Sequence, residues 1–283
     1  MRSTRAFLSC AALLCLAATG SADSQQGLID KYQARVTATL ADQPHWATPL
    51  VTTSPRLEQG FRTDFVRQRT AGQDTWSYGN SKGLQLVPLR RVEVRFGLPP
   101  FLAHTDPRVS DGFGDVSFLL KYRIVAHNEE HGNGIVTAML GASVPTGKNG
   151  NGSCCAILSP TLGVGKGYGR LDVISTIGGS LPVSNTAKLG HQIVWNNVIE
   201  YHAGRFVWVQ TEFNATFYKG GKNDGKLQTF ATPGILLSRI PLTHDATGKP
   251  GRMMLTLGAA EQIALTHFNT YNHSPIFSAR LRF

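Results

Sequence analysis

Lys121 and Arg123 stand two residues apart, with Phe118, Leu120, Tyr122 and Ile124 around and between them. Alternation of that kind sets the cations on one face of an extended strand and the apolar side chains on the other. The spacing recurs where Glu93 and Arg95 oppose Val92, Val94 and Phe96, and where Gln210 and Glu212 oppose Val209 and Phe213. Carried around a closed wall, such faces give a lumen of fixed charge that can sort solutes by field. The charged residues expected on the inward parity are Arg62, Asp64, Arg95, Lys121, Arg123, Asp172, Glu200, Glu212, Glu261, Arg280 and Arg282. Arg95, Lys121, Arg123, Glu200, Glu212 and Glu261 are the expected lumen lining. Charges that face each other across a narrow bore can also pair and stiffen it, so pairing and selective lining both stay open here.

Catalytic arrangements fare less well. His273 and Ser274 are neighbours, and neighbours on a strand face opposite ways, so the histidine is badly placed to activate the serine. His202 and Glu200 share a parity, yet no serine is fixed beside them by sequence. The glycines of Gly112-Phe113-Gly114 and of Gly163-Val164-Gly165-Lys166-Gly167 lack the strand–loop–helix setting of a phosphate cradle and are read as turn and bulge residues. Cys154 and Cys155 are adjacent, and a bridge between them is strained. Residues 145–160 contain no His, Asp or Glu to complete a metal or redox site. No enzyme activity, cofactor or metal is expected.

The elements that must position the charges are strands. Alternating segments fall at 57–66, 73–80, 84–98, 112–125, 133–145, 156–166, 170–182, 191–202, 205–218, 226–240, 252–265 and 275–283. The fold class expected is all-β: an antiparallel up-and-down transmembrane barrel of about 12 strands, with the even count that an outer-membrane barrel requires. Connectors after odd segments are mostly longer and rich in Gly, Asn, Lys and His, as outer loops are, although 126–132 and 241–251 break the trend. Trp76, Tyr78, Tyr122, Tyr201, Phe217, Tyr218, Phe268 and Tyr271 lie near segment ends, where interfacial girdles need amphipathic rings. Twelve tilted strands imply a backbone diameter of about 24 Å and, after side chains, roughly 10 Å of free bore.

Composition agrees. Charged residues make up 16% of the 283 residues, below the usual quarter, as suits a protein with one face in lipid. The formal charge is +10, and its basic residues are scattered singly rather than in runs, which disfavours nucleic-acid binding. Residues 1–22 read as an export signal: Arg2 and Arg5, an apolar core from Ala6 to Ala18, then Thr19-Gly20-Ser21-Ala22. Residues 23–56 do not alternate. Leu28, Tyr32, Val36 and Leu40 recur every four residues as in a weak amphipathic helix, and Pro44, Pro49 and Pro55 interrupt an extended stretch. This segment is expected to be a periplasmic lead-in or a plug folded into the pore, with residues 57–283 forming the barrel.

The run Gly112-Phe113-Gly114-Asp115 leading into Phe118-Leu119-Leu120-Lys121-Tyr122-Arg123, then Val144-Pro145-Thr146-Gly147 and Ala279-Arg280-Leu281-Arg282-Phe283, resembles bacterial outer-membrane proteins assigned to the MetA pathway of phenol degradation. Trp46-Ala47-Thr48-Pro49-Leu50-Val51 and Pro55-Arg56-Leu57-Glu58-Gln59 resemble a soil-bacterial subgroup, so the likeness spans residues 45–283. It implies a transporter-like barrel in the outer membrane of a Gram-negative cell but supplies no site residues. The expectation is a porin-like channel for passive uptake of small hydrophobic or aromatic solutes. Its partners would be outer-membrane lipid, a small-molecule solute and, through the C-terminal strand, the barrel-assembly machinery. A closed structural or adhesive barrel, or a secreted ligand-binding sandwich, are the alternatives.

Overall fold

The structure is a computed structural model that describes residues 22–70, 72–244, 248 and 251–283. The export-signal reading of residues 1–22 lies outside the described residues except for Ala22. Twelve antiparallel strands follow one another around a closed barrel. They are β1 (Gly60–Thr70), β2 (Gln73–Gly79 and Gly83–Leu89), β3 (Val92–Gly97 and Phe101–His104) and β4 (Gly112–Phe113 and Val116–His127). The rest are β5 (Gly134–Val144), β6 (Ile157–Tyr168), β7 (Leu171–Pro182), β8 (His191–His202), β9 (Val207–Lys219), β10 (Leu227–Pro241), β11 (Met254–Ala264) and β12 (His273–Arg282). Closure comes from β1 pairing with β12, in register from Gly60 opposite Arg282 to Arg69 opposite His273. No sheet edge is left open there, which is what a wall in hydrocarbon requires.

The count of twelve agrees with the sequence, but the partition of the first strands does not. Residues 84–98 do not form one strand. The chain reverses at Arg90-Arg91, so Leu84 lies opposite Phe96 and Gln85 opposite Arg95. Two arginines carry this turn, without the glycine or asparagine that normally marks one. The apparent connector at 81–83 is instead a break within β2, where Gly79, Asn80 and Ser81 all take positive φ. A similar break in β3 falls at Leu98-Pro99-Pro100, since proline has no N–H to give the ladder.

Side chains alternate as expected. Phe118, Leu120, Tyr122, Ile193, Ile199, Val209, Phe213 and Phe277 are exposed on the outer face, while Lys121, Glu200, Gln210, Glu212 and Ser278 are buried within. An apolar outside and polar inside suit a wall between lipid and an aqueous bore. Of the aromatic residues expected at the interfaces, Tyr78, Tyr122, Tyr201 and Phe217 do face outward. Tyr218 is buried, and Tyr271 stacks on Phe230 and donates to Gln262 Oε1 at 2.6 Å.

Helix α1 (Ala22–Ala41) precedes the barrel. Val36 and Leu40 pack on Leu57 and Val87 with Tyr32 beside them, whereas Leu28 stays exposed. The helix therefore seats its last turns only. Its C-terminal end meets the short-turn end of the barrel, where Arg123 donates to Thr39 O at 2.7 Å. At the opposite end the longer connectors interlock. Asp115 accepts from Gly147 N (2.9 Å) and Ser153 N (2.7 Å), which explains why the Gly-Phe-Gly-Asp and Val-Pro-Thr-Gly segments occur together.

Candidate functional site: the lumen and its re-entrant loop

Between α1 and β1 the chain enters the lumen from the short-turn end and returns. The two limbs are clasped at the base: Gln43 Nε2 donates to Leu57 O at 2.8 Å and Leu57 N donates back to Gln43 Oε1 at 2.9 Å. Higher up, the Arg56 guanidinium donates to Trp46 O. Three prolines deny this segment a regular ladder, so its main-chain groups must be satisfied from the wall.

Wall charges do this. Glu212 on β9 accepts three consecutive main-chain N–H groups, from Leu50 (2.7 Å), Val51 (2.9 Å) and Thr52 (2.6 Å). A carboxylate with three amide donors is a strong, charge-assisted anchor. The opposite polarity is supplied by guanidinium and ammonium groups. Arg62 donates to Pro49 O (3.2 Å) and to Leu50 O, and Arg280 to Pro49 O (2.8 Å) and to Thr48 O. Lys121 Nζ donates to Arg56 O (2.8 Å) and pairs with Glu93 at 3.1 Å, while Glu93 also accepts from Glu58 N at 2.6 Å. Thr137 Oγ1 donates to Pro55 O at 2.6 Å.

The loop also has an apolar seat. Trp46, Ala47 and Leu50 pack with Ile135, Ile174, Val198, Trp208 and Leu236, which point inward from five strands. Burying a side chain such as Trp or Leu is worth about 1.5–3 kcal/mol. Glycines leave the space. A Cβ on Gly165 would lie 2.5 Å from the Trp46 ring, and one on Gly258 would lie 2.5 Å from Leu50 Cδ2. The glycines at 163, 165 and 167 are therefore not turn residues: they lie inside β6 and provide clearance. Trp46 Nε1 finishes the seat by donating to Asn133 Oδ1 at 2.9 Å.

Among the residues expected to line the lumen, Lys121, Arg123 and Glu212 are buried and bonded to the N-terminal segment or the helix, as described above. Glu200 is fully buried, and neither carboxylate oxygen has a hydrogen-bond partner among the described residues; its cross-strand neighbour Asp172 has one oxygen in the same condition. Glu261 lies half-buried beside His273 at 3.4 Å, toward the long-loop end. Arg95 is half-buried and takes part in no hydrogen bond or ion pair among the described residues; its Nε is buried. Arg62 and Asp64 pair with each other at 2.7 Å.

Some contributors escape a parity reading. Arg239 falls on the outward parity of β10, but the register shifts between Leu237 and Ile240, and Arg239 has φ 63°. The bulge turns its guanidinium inward onto His45 O. Glu93 shares the parity of Arg95 but is missing from the expected inward set, although the same alternation places it there. At the rim, His45 N and Nδ1 reach the two oxygens of Glu129 at 2.5 and 2.8 Å. Burial, together with Arg239 and Arg56, pulls the His45 imidazole below its ordinary range despite that carboxylate. Burial pushes the Glu129 carboxyl up, but the His45 hydrogen bonds prevail and leave it below the usual value.

Above the loop tip is a chamber of about 310 Å³, floored by Thr53 and walled by β3 to β8 near their long-loop ends. Among the described residues, no group of three or more His, Cys, Asp or Glu is placed to hold a metal ion.

A crystal structure of the COG4313 outer membrane channel from Pseudomonas putida F1 has a similar fold. The superposition has a TM-score of 0.58 and covers 84% of this chain and 100% of that one, at 14% sequence identity. No protein-family model and no curated protein sequence matches the chain. At that identity the likeness bears on the barrel fold. It agrees with an outer-membrane barrel and is silent on phenol degradation.

Proposed function

We propose that this protein is an outer-membrane channel for the passive passage of small solutes, with residues 42–59 as its constriction. The observation that carries the reading is the chamber of about 310 Å³ that Thr53 of the re-entrant loop shares with inward residues of β3 to β8. A channel needs a site that is easy to enter and leave, and a narrow zone that decides what continues. The wall supports the location: its outer rows are apolar and its inner rows polar. The neighbour's printed description as an outer membrane channel adds to the reading by fold alone. Outer-membrane lipid is the partner of the outer rows, and the barrel-assembly machinery is the partner proposed for β12.

The phenol-pathway association of the resembling family would favour aromatic solutes. The chamber is lined chiefly by Ser, Thr and Gly, so the channel reading is carried forward without that pathway.

A second reading has its own support. The many hydrogen bonds between wall and loop suit a permanently closed, structural barrel. Planar-bilayer recordings on the full chain and on a variant lacking residues 23–56 separate the two. Conductance by the full chain supports a channel. A silent full chain with a conducting deletion makes the loop a plug that must be released. Silence from both leaves the closed barrel.

A further inference from the structure

We infer that the chamber above Thr53 binds a small organic monocarboxylate, with Arg95 as its anion-binding group. The inference rests on the channel reading and names the solute class of that same site. Among the sixteen residues around the chamber, Arg95 is the only one that bears charge. Of the acids that act on it, Glu58 accepts from the Thr48 hydroxyl and the other two are paired. Glu93 is taken by Lys121 and Glu58 N, and Asp64 by Arg62 at 2.7 Å. Arg95 itself has neither hydrogen bond nor ion pair among the described residues, although every other inward arginine from Arg56 to Arg280 described above donates to loop, wall or carboxylate. A guanidinium left without acceptors beside a cavity is a strong, directional site for a planar carboxylate, which it can grip with two parallel N–H bonds.

The rest of the lining narrows the class. Ser143, Ser159, Thr161 and Ser180 bring to the same chamber hydroxyls that have no hydrogen bond among the described residues. Leu119 and Met139 offer a short apolar surface beside them. One cation matches one negative charge, so a dianion would be undercompensated and an organic cation repelled. A volume of about 310 Å³ is at the small end of ligand sites. Together these features describe a monoanion with a short hydrocarbon body. Its capture would raise the local concentration of that solute at the constriction.

The test uses the folded full chain in detergent, with calorimetric titration of butyrate, n-butanol, n-butylammonium and sulfate. Butyrate should bind saturably, and butanol and butylammonium at least about tenfold more weakly, the difference expected for a charged fork. Arg95→Gln should weaken butyrate binding by about tenfold or more, and Arg95→Lys should fall between, because it keeps the charge without the fork. Heat-modifiable migration of each variant checks that the barrel is folded. If Arg95→Gln does not fold, the butyrate-to-butanol ratio on the wild-type chain still decides. Equal binding of the alcohol, unchanged binding by folded Arg95→Gln, or sulfate displacing butyrate at equal concentration each overturns the inference. Because binding is read without a membrane, a barrel that binds butyrate yet never conducts refutes the channel, not the site. A barrel that conducts without a butyrate site refutes the site alone.

Discussion

The two ends of the lumen use the same wall in opposite ways. Toward the short turns, the inward residues bear carboxylates and guanidiniums, and most are bonded to the re-entrant loop, Asp172 and Glu200 excepted. Toward the long loops, the inward residues around the chamber on β3 to β8 are mostly small hydroxyls and glycines, and Arg95 has no hydrogen bond or ion pair among the described residues. The first arrangement resembles a protein core, with most polar groups satisfied and apolar groups such as Trp46 and Leu50 seated. The second resembles a binding vestibule. Polar groups in a barrel interior therefore do not by themselves make a solute path. What matters is whether they are already satisfied by the chain, because an occupied donor has nothing left to offer a solute.

The strongest way to break that contrast is to remove the loop. Deleting residues 23–56 should raise single-channel conductance severalfold in planar bilayers, because the charged end would then be as open as the vestibule. An unchanged conductance would mean that the loop does not limit flow and that both ends are equally wet. Next in size is Glu212→Gln, which keeps the shape but removes the charge from a site receiving three main-chain N–H groups. The loop tip should lose about 2–4 kcal/mol of anchoring, because charge-assisted bonds of this kind are worth about 1.5–3 kcal/mol each and do not add fully. Protease cleavage within residues 44–58 should become detectable in detergent-folded protein, and resistance equal to wild type would count against the anchor.

Parity made much of the fold legible, and for a physical reason. Lipid outside and water or polar chain inside impose a period of two that tolerates few exceptions, so Phe277, Arg280 and their counterparts could be placed at once. The elements that were misread lack such a constraint. Arg90-Arg91 makes a turn without turn residues, and the bulge at Arg239 reverses the parity on which placement depends. The re-entrant loop was legible only indirectly. Ile174 shares a parity with Asp172, Val198 with Glu200, and Leu236 with Ser238, so apolar side chains stand on rows that a water-filled bore would make polar. Those residues announced an apolar occupant. Sequence named residues 23–56 as a lead-in or a plug but could not choose between them, because the match between Trp46 and Gly165 is one of shape and leaves no periodic trace.

That match gives a smaller test. Gly165→Val places a branched side chain where the Trp46 ring lies, and its Cβ alone would approach to 2.5 Å. Overpacking of this kind costs about 1–3 kcal/mol, and the loop, held by fewer bonds than the wall, should be the part that yields. Conductance should rise less than in the deletion, while heat-modifiable migration stays normal. A variant that loses barrel stability while its loop stays protected would show the seat to be part of the wall's own core.

The smallest effect belongs to the rim, where the charged end meets solvent at His45 and Glu129. Both groups titrate lower in the folded protein than when free. The Glu129 carboxyl therefore contributes stability that is complete above its ordinary pKa of about 4.5 and is lost as pH falls through its lowered folded value. The His45 imidazole, disfavoured as a cation by burial, likewise contributes above its ordinary value of about 6.5 and ceases to do so as pH falls. The two contributions share a sign, so acidification from about pH 7 to below 4.5 should loosen the loop at its base. Each side chain is more than a third exposed, at 38% and 43%, so solvent screening holds the effect below about 1 kcal/mol. Protease protection of residues 44–58, or the frequency of open events, should shift modestly toward the released state across that range. Glu129→Gln should flatten the part of the profile below about pH 4.5 and move the His45 part further down, because it removes the carboxylate that holds that imidazole up. A profile identical in wild type and variant would place the acid response elsewhere, among the carboxylates buried deeper in the wall.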